Sequence, residues 1–303
     1  MKLIDLVGNT PLIELSKISS GTGVSIQAKA EYYNPSGSIK DRAARAMLLD
    51  GIEKGLLIPG KTIIDASSGN TGIAYAMFGA YLGYPVSIYL PANANDERKN
   101  LIRRYGARIV ETDPLESSDG AFLAAQKEAA AHPERYFYPN QYNNDANWKA
   151  HYNGTALEIW EQCAGKVTHF IAGMGTSGTL MGTGRRLREL KAAINVVALQ
   201  PDSPFHGIEG TKHMASTIKP GFYDESLANS TIEVNTEEAY DMARRLVREE
   251  GVFAGISSGA NVLGALKLAA SAPAGSLIVT VLGDSGTRYL RDGFWEGGDS
   301  CLR

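Results

Sequence analysis

Residues 62–91 read TIIDASSGNTGIAYAMFGAYLGYPVSIYLP. The stretch opens on a short apolar run, TIIDA at 62–66, and closes on another, VSIYLP at 86–91. Between them lie a loop rich in Ser, Gly and Asn and a helical pattern from Thr71 to Leu82. Short apolar runs bounded by turn residues read as buried strands, and a helix between two of them makes a βαβ unit with parallel strands. This stretch decides the fold class as α/β.

The alternation continues in both directions. A charged helix at 95–105 ends at Gly106, a suitable C-cap, and is followed by ARIVET at 107–112 and an alanine-rich helix around 118–131. The pattern then loosens over HPERYFYPNQYNNDAN at 132–147, which reads as a domain crossing. Beyond it, THFIAGM at 168–174 and NVVALQP at 195–201 read as strands flanking the helix TLMGTGRRLREL. Residues 202–230 form a long irregular segment, and loops of that length are usually functional. Two helical patterns, NTEEAYDMARRLVREE and SSGANVLGALKLAA, precede a last strand, LIVTVLG. No internal repeat is found. Ligands in such folds bind at the carboxyl ends of the strands.

The chain has 303 residues, 44% of them hydrophobic, and a net charge of −3, enough for one large or two ordinary domains. That charge balance gives no support for a nucleic-acid or anionic-membrane partner. No apolar run is long enough for a transmembrane helix, and Asp5 interrupts the N-terminus, so no secretory signal is expected. Cys163 and Cys301 lie far apart and read as reduced cytosolic thiols. The five histidines lack metal spacing; His132, His151 and His169 read as ordinary surface or core residues.

Three loops and one lysine could carry chemistry. Lys40 follows the turn Asn34-Pro35-Ser36-Gly37 and stands in the first turn of a helix, where a cation is slightly unfavourable. Either Lys40 and Arg42 are solvated surface charges, or the misfit is useful, because a lysine discouraged from protonation is a nucleophile. After THFIAGM, Gly175, Thr176, Ser177, Gly178 and Thr179 offer backbone N–H groups, hydroxyls and a helix N-terminus, a cradle for phosphate without the Walker pattern. A merely tight strand–helix turn is an equal reading. After TIIDA, Ser67, Ser68, Asn70 and Thr71 offer neutral donors that suit a carboxylate, or an N-capping cluster. In Gly255-Ile256-Ser257-Ser258-Gly259, either serine could cap a helix or face a ring nitrogen. A phosphate cradle, a carboxylate loop and an unusual lysine together suit pyridoxal 5'-phosphate and an amino-acid substrate.

The motifs GNTPL (8–12), NPSGSIKDRAA, SSGNTGIA, GMGTSGT, GISSGA and GTRYL (286–290) stand in an order that resembles the cysteine synthase family, the O-acetylserine sulfhydrylases, and its B branch in particular. The resemblance nearly fills the chain. It implies a fold-type II, tryptophan synthase β-like architecture of two three-layer α/β/α domains. Residues 38–145 would form a smaller domain with the carboxylate loop, and residues 1–37 and 146–303 a larger one with the phosphate loop. It implies that Lys40 holds the cofactor and removes the α-proton, and that Asn70 bonds the cofactor's 3′-oxygen. Ser67, Ser68, Thr71 and Gln141 would bind the substrate carboxylate. Gly175, Thr176, Ser177, Gly178 and Thr179 would wrap the phosphate, and Ser257 would face the pyridine nitrogen.

The implied reaction is β-replacement, through an α-aminoacrylate intermediate, that makes L-cysteine from O-acetylserine or O-phosphoserine and sulfide or another sulfur donor. The family expectation is a cytoplasmic homodimer with no metal. The family usually has Thr where this chain has Ser67, and the segment at 202–226 departs further. Lys212 in that segment is either a solvated loop lysine or a contact for a phosphate leaving group. Rival readings are a serine or threonine dehydratase, a cystathionine β-synthase, and a non-catalytic regulator of the same fold. The dehydratase loop patterns are not seen.

Overall fold

The structure, a computed structural model, describes residues 1–67 and 69–296. Ser68 and Cys301 lie outside the described residues. In chain order the elements are β1 (Leu12–Glu14), β2 (Ser25–Ala30), α1 (Lys40–Glu53), β3 (Thr62–Ala66), α2 (Asn70–Leu82), β4 (Val86–Pro91), α3 (Asp96–Arg104), β5 (Arg108–Thr112), α4 (Ser117–Ala131), β6 (Tyr136–Phe137), α5 (Asp145–Ala150), α6 (Ala156–Gln162), β7 (His169–Gly173), α7 (Gly178–Leu190), β8 (Asn195–Pro201), β9 (Ser230–Val234), α8 (Thr236–Glu250), α9 (Ile256–Ala269) and β10 (Leu277–Leu282). A π-helical turn, His151–Thr155, leads into α6. The chain divides into two compact units, Met1–Val7 with Ile39–Asn147, and Gly8–Ser38 with Trp148–Arg303.

The first unit has a parallel sheet in the order β5-β4-β3-β6. Because side chains alternate along a strand, β3 is buried on both faces. Ile64 and Ala66 pack on the alanines Ala121, Ala125 and Ala129 of α4. Ile63, one residue out of phase, joins Met47, Leu48, Tyr75 and Phe78 of α1 and α2. Three layers result. Gly51 and Gly79 let α1 and α2 lie close to the sheet side, since a methyl group at either would overlap Phe137 or Val86.

The second unit has the order β1-β2-β10-β7-β8-β9, parallel except for the β1–β2 pair. Its core joins Ile26, Ile171, Val197 and Leu199 of the sheet to Met242 and Leu246 of α8 and Val262 and Ala265 of α9. On the opposite face α7 approaches through Gly184, where a methyl group would press on Val196.

Several pieces differ from the sequence expectation. The segment read as irregular ends in β9, an edge strand paired with β8. Its residues are mostly exposed, so they lack the apolar run of a central strand. The region read as a crossing contains β6 and the start of α5. Ser257 and Ser258 do not cap α9; Gly255 holds the cap position, and neither serine precedes the helix. Arg42 is not a solvated charge, because it is 4% exposed.

Candidate functional site

In the first unit Ser67, Asn70, Thr71 and Gln141 gather where β3 ends, and Lys40 opens α1. Lys40 is half-buried at the first position of α1, beside buried Asp41 and Arg42. The chain leaves β3 at Ala66, turns through Ser67, whose Oγ accepts the Gly69 N–H at 3.2 Å, and starts α2 at Asn70. Thr71, 5% exposed, donates its hydroxyl to Gln141 Oε1 at 3.2 Å. Gln141 in turn donates its amide to the Ala66 carbonyl at 3.2 Å, and its own carbonyl accepts from Asn147 Nδ2 at 2.7 Å. Asn140, with φ of 52°, makes the bend that aims Gln141 inward. Thr71 and Gln141, read from separate motifs, are thus one hydrogen-bonded pair. Neutral donors around a helix N-terminus suit a carboxylate. Gly72 keeps this turn tight: a methyl group there would come within 3.0 Å of the Ser67 carbonyl.

In the second unit β7 ends at Gly173, whose N–H is held by Asn261 Oδ1 at 2.8 Å, while Asn261 Nδ2 donates to Val281 O at 2.8 Å. The turn through Gly175, Thr176 and Ser177 follows. Ser177 is left-handed at φ 61° and α7 begins at Gly178. The segment at 207–212 backs this turn: Lys212 N–H donates to Met174 O at 2.7 Å, and a methyl group at Gly175 would overlap the Gly210 carbonyl. Lys212 Nζ donates to Thr217 Oγ1 at 3.0 Å. Thr179 Oγ1 stands 3.4 Å from His151 Nε2, and His151 Nδ1 is 2.9 Å from Thr155 Oγ1. Gly182 lets α7 lie against the backbone of Trp148 in α5 and of Tyr152 in the π-helical turn.

Ser257 is half-buried in the first turn of α9, and its neighbour Ser258 accepts the Gly283 N–H at 3.0 Å. The GNTPL and NPSG motifs meet in this unit. Asn34 Oδ1 accepts the Gly8 N–H at 2.9 Å, Asn34 Nδ2 donates to Glu31, and Thr10 donates to Glu31 Oε1 at 2.8 Å. Gly37, at φ 88°, closes the turn that carries the chain toward Lys40.

His151, read as an ordinary surface or core histidine, is buried with Nδ1 2.9 Å from Thr155 Oγ1, whereas sequence reasoning missed Asn261 and Gly210. No periodic or motif signal reports them, since each acts on a loop far away in sequence. Among the described residues there is no group of three or more His, Cys, Asp or Glu side chains able to hold a metal, and no helix is long and apolar enough to cross a membrane.

Glycine- and hydroxyl-bearing turns at the carboxyl ends of parallel strands mark an α/β protein that binds small anionic ligands. Residues 3–284 match the family described as pyridoxal-phosphate dependent enzyme, and the chain belongs to it. Its relatives include the cysteine synthase of Aquifex aeolicus, 49% identical over 98% of this chain and 93% of that protein. Cysteine synthase B of Salmonella typhimurium is 38% identical over 95% of this chain and 93% of that protein. The crystal structure of a cysteine synthase from Entamoeba histolytica superposes with a TM-score of 0.94 at 34% identity, covering 99% of this chain and 92% of that one. The fold is therefore fold-type II and the cofactor pyridoxal phosphate.

The residues present fit that cofactor. Ser177 is 2% exposed, and its Oγ is a buried hydroxyl with no hydrogen-bond partner among the described residues. A phosphate oxygen there would satisfy it.

Proposed function

We propose that this chain makes L-cysteine by β-replacement, from a serine activated at its β-oxygen by an acetyl or phosphoryl group and from sulfide or another sulfur donor. The observation that carries this reading is the Thr71–Gln141 pair on the loop after β3, which suits an amino-acid carboxylate. Identity of 49% over 98% of the chain to a cysteine synthase supports it.

In this reading the unit of Met1–Val7 and Ile39–Asn147, close to the expected 38–145, carries the carboxylate loop, and the unit of Gly8–Ser38 and Trp148–Arg303, expected at 1–37 and 146–303, carries the phosphate loop. Backbone N–H groups and hydroxyls from Gly175, Thr176, Ser177, Gly178 and Thr179 hold the phosphate. When the cofactor is bound, Asn70 would hold its ring oxygen and Ser257 would offer the ring nitrogen a neutral hydroxyl. Bound pyridoxal phosphate supplies an electron sink for charge developing at the donor's Cα. Ser67, Ser68, Thr71 and Gln141 fix the donor carboxylate and so orient its Cα–H bond. Lys40 Nζ takes the α-proton, the acetate or phosphate leaves Cβ, sulfur adds there, and Lys40 returns the proton. The enzyme works as a cytoplasmic homodimer.

The test is a borohydride-reduction and activity experiment on purified holoenzyme. Reduction is expected to fix the cofactor to a peptide containing Lys40, and Lys40→Ala to lower cysteine formation from O-acetylserine and sulfide by at least about 1,000-fold. Covalent labelling elsewhere, or homocysteine outcompeting sulfide as acceptor, refutes the reading.

A further inference from the structure

Asp65 is a buried carboxyl that the proposed reaction does not use. It lies on β3 with 0% exposure, on the sheet face turned to α1 and α2. Its Oδ1 accepts the Ala66 N–H at 2.8 Å, while its Oδ2 has no hydrogen-bond partner among the described residues. The ionisable groups that face it are phenols: Tyr75 from α2, and Tyr138 and Tyr142 from the segment that carries Gln141. Ile88 is its neighbour on β4. Met47 of α1 receives the Tyr75 hydroxyl at 3.9 Å, and Asp119 acts on Tyr142. Tyr138 Oη is itself buried without a partner among the described residues.

A carboxylate so placed is costly, because neither desolvated oxygen meets a cation among the described residues. Burial pushes the Asp65 carboxyl up to about 7, outweighing the Ala66 N–H and the Tyr75 hydroxyl, whose hydrogen bonds favour the charged form. As a neutral acid it has one oxygen to accept the Ala66 N–H and one O–H to offer a phenol oxygen. Ala66 is the link to the carboxylate loop. Its N–H is held by Asp65, and its carbonyl is held by Gln141, which bonds Thr71. One peptide unit thus joins the buried acid to the pair of residues proposed to bind the substrate.

We propose that Asp65 is a positioning residue that acts as a neutral carboxyl, and that the Thr71–Gln141 pair is set for the substrate carboxylate only while Asp65 keeps its proton. This rests on the reading that Thr71 and Gln141 bind that carboxylate. Losing the proton leaves a desolvated charge that only the Ala66 N–H and the Tyr75 hydroxyl favour among the described residues. The local turn then rearranges, Ala66 moves, and donor binding weakens as pH rises.

The experiment measures kcat and KM for O-acetylserine between about pH 6 and about pH 8 with holoenzyme of wild type, Asp65→Asn, Asp65→Ala and Thr71→Val. In the wild type KM is expected to rise about tenfold across that range, with kcat much less affected. Asp65→Asn keeps an acceptor for Ala66 and a donor on the other side. Its KM is expected to stay flat at the wild-type low-pH value, while Asp65→Ala raises KM throughout. A wild-type KM that does not change with pH overturns the proposal, even if no variant folds. So does an Asp65→Asn profile that rises like the wild type. Thr71→Val separates the two ideas. If it leaves KM at about pH 6 unchanged, the carboxylate assignment itself fails and the proposal with it. If it raises KM while Asp65→Asn still rises with pH, only the role of Asp65 is refuted.

Discussion

Removing the carboxylate of Glu158 is expected to destabilise the second unit severely, whereas removing its buried partner as well is not. Lys29, on β2, has 0% exposure, so its ammonium has lost its water. Its Nζ meets Glu158 Oε2 at 2.7 Å, Thr10 O at 2.6 Å and Gln162 Oε1 at 2.9 Å, enough for its three N–H bonds. Glu158 brings opposite charge, and its side chain is itself 14% exposed. Glu158→Ala takes a carboxylate at 2.7 Å away from a buried cation, which costs about 3–5 kcal/mol. For a unit of this size that is a fall in Tm of roughly 6–20 °C, at about 2–4 °C per kcal/mol.

The pair Lys29→Met with Glu158→Leu removes both charges and fills similar volume, so it is expected near the wild type, within about 1 kcal/mol. Differential scanning fluorimetry of the four proteins in one buffer closes a double-mutant cycle. A Glu158→Ala protein melting within about 2 °C of the wild type refutes the argument, as does a double variant worse than either single one. The cycle also probes the GNTPL motif, because the Thr10 carbonyl bonds Lys29 while its hydroxyl bonds Glu31.

Two further outcomes follow from the same reasoning. Gly175→Ala is expected to weaken pyridoxal phosphate binding about 10- to 100-fold, because its new methyl group overlaps the Gly210 carbonyl and two backbones must part. Fluorescence titration of the apoprotein checks this, with Gly293→Ala, where a methyl group meets nothing within 4 Å, as the neutral comparison. Stability should also fall as pH rises toward neutrality at Asp65. Its carboxyl is pushed up from 3.8 to about 7, so the folded chain holds a proton that the unfolded chain releases. That contribution is full below about pH 4 and is lost by about pH 7, a change of at most about 4 kcal/mol. Urea midpoints at several pH values measure it, and Asp65→Asn should flatten that part of the curve.

The parallel strands were legible in the residues themselves. NVVALQP became β8 without a shift of boundary, and TIIDA and VSIYLP became β3 and β4. Strands covered by helices on both faces must be apolar along their length, and short apolar runs between turn residues stand out in any chain. The glycine-bearing loops were legible too, because the turn chemistry at Gly175 and Gly178 and the helix start at Asn70 are local in sequence. What escaped was β1 and β2 near the start of the chain, β9, an exposed edge strand that needs no apolar run, and β6, only two residues long.

The sequence by itself therefore determined the α/β class, the alternation of the central strands and helices and the set of residues able to bind an anion or act as a nucleophile, since each depends on a residue and its near neighbours. Tertiary structure decided which of them meet. Thr71 found Gln141 seventy positions away, Gly175 came to rest under Gly210, and Lys29 found Glu158 across the second unit's fold. It also decided that Asp65 is dry and Arg42 buried. Desolvation and hydrogen bonding between distant segments depend on what the rest of the chain places around a side chain, and no periodicity records that.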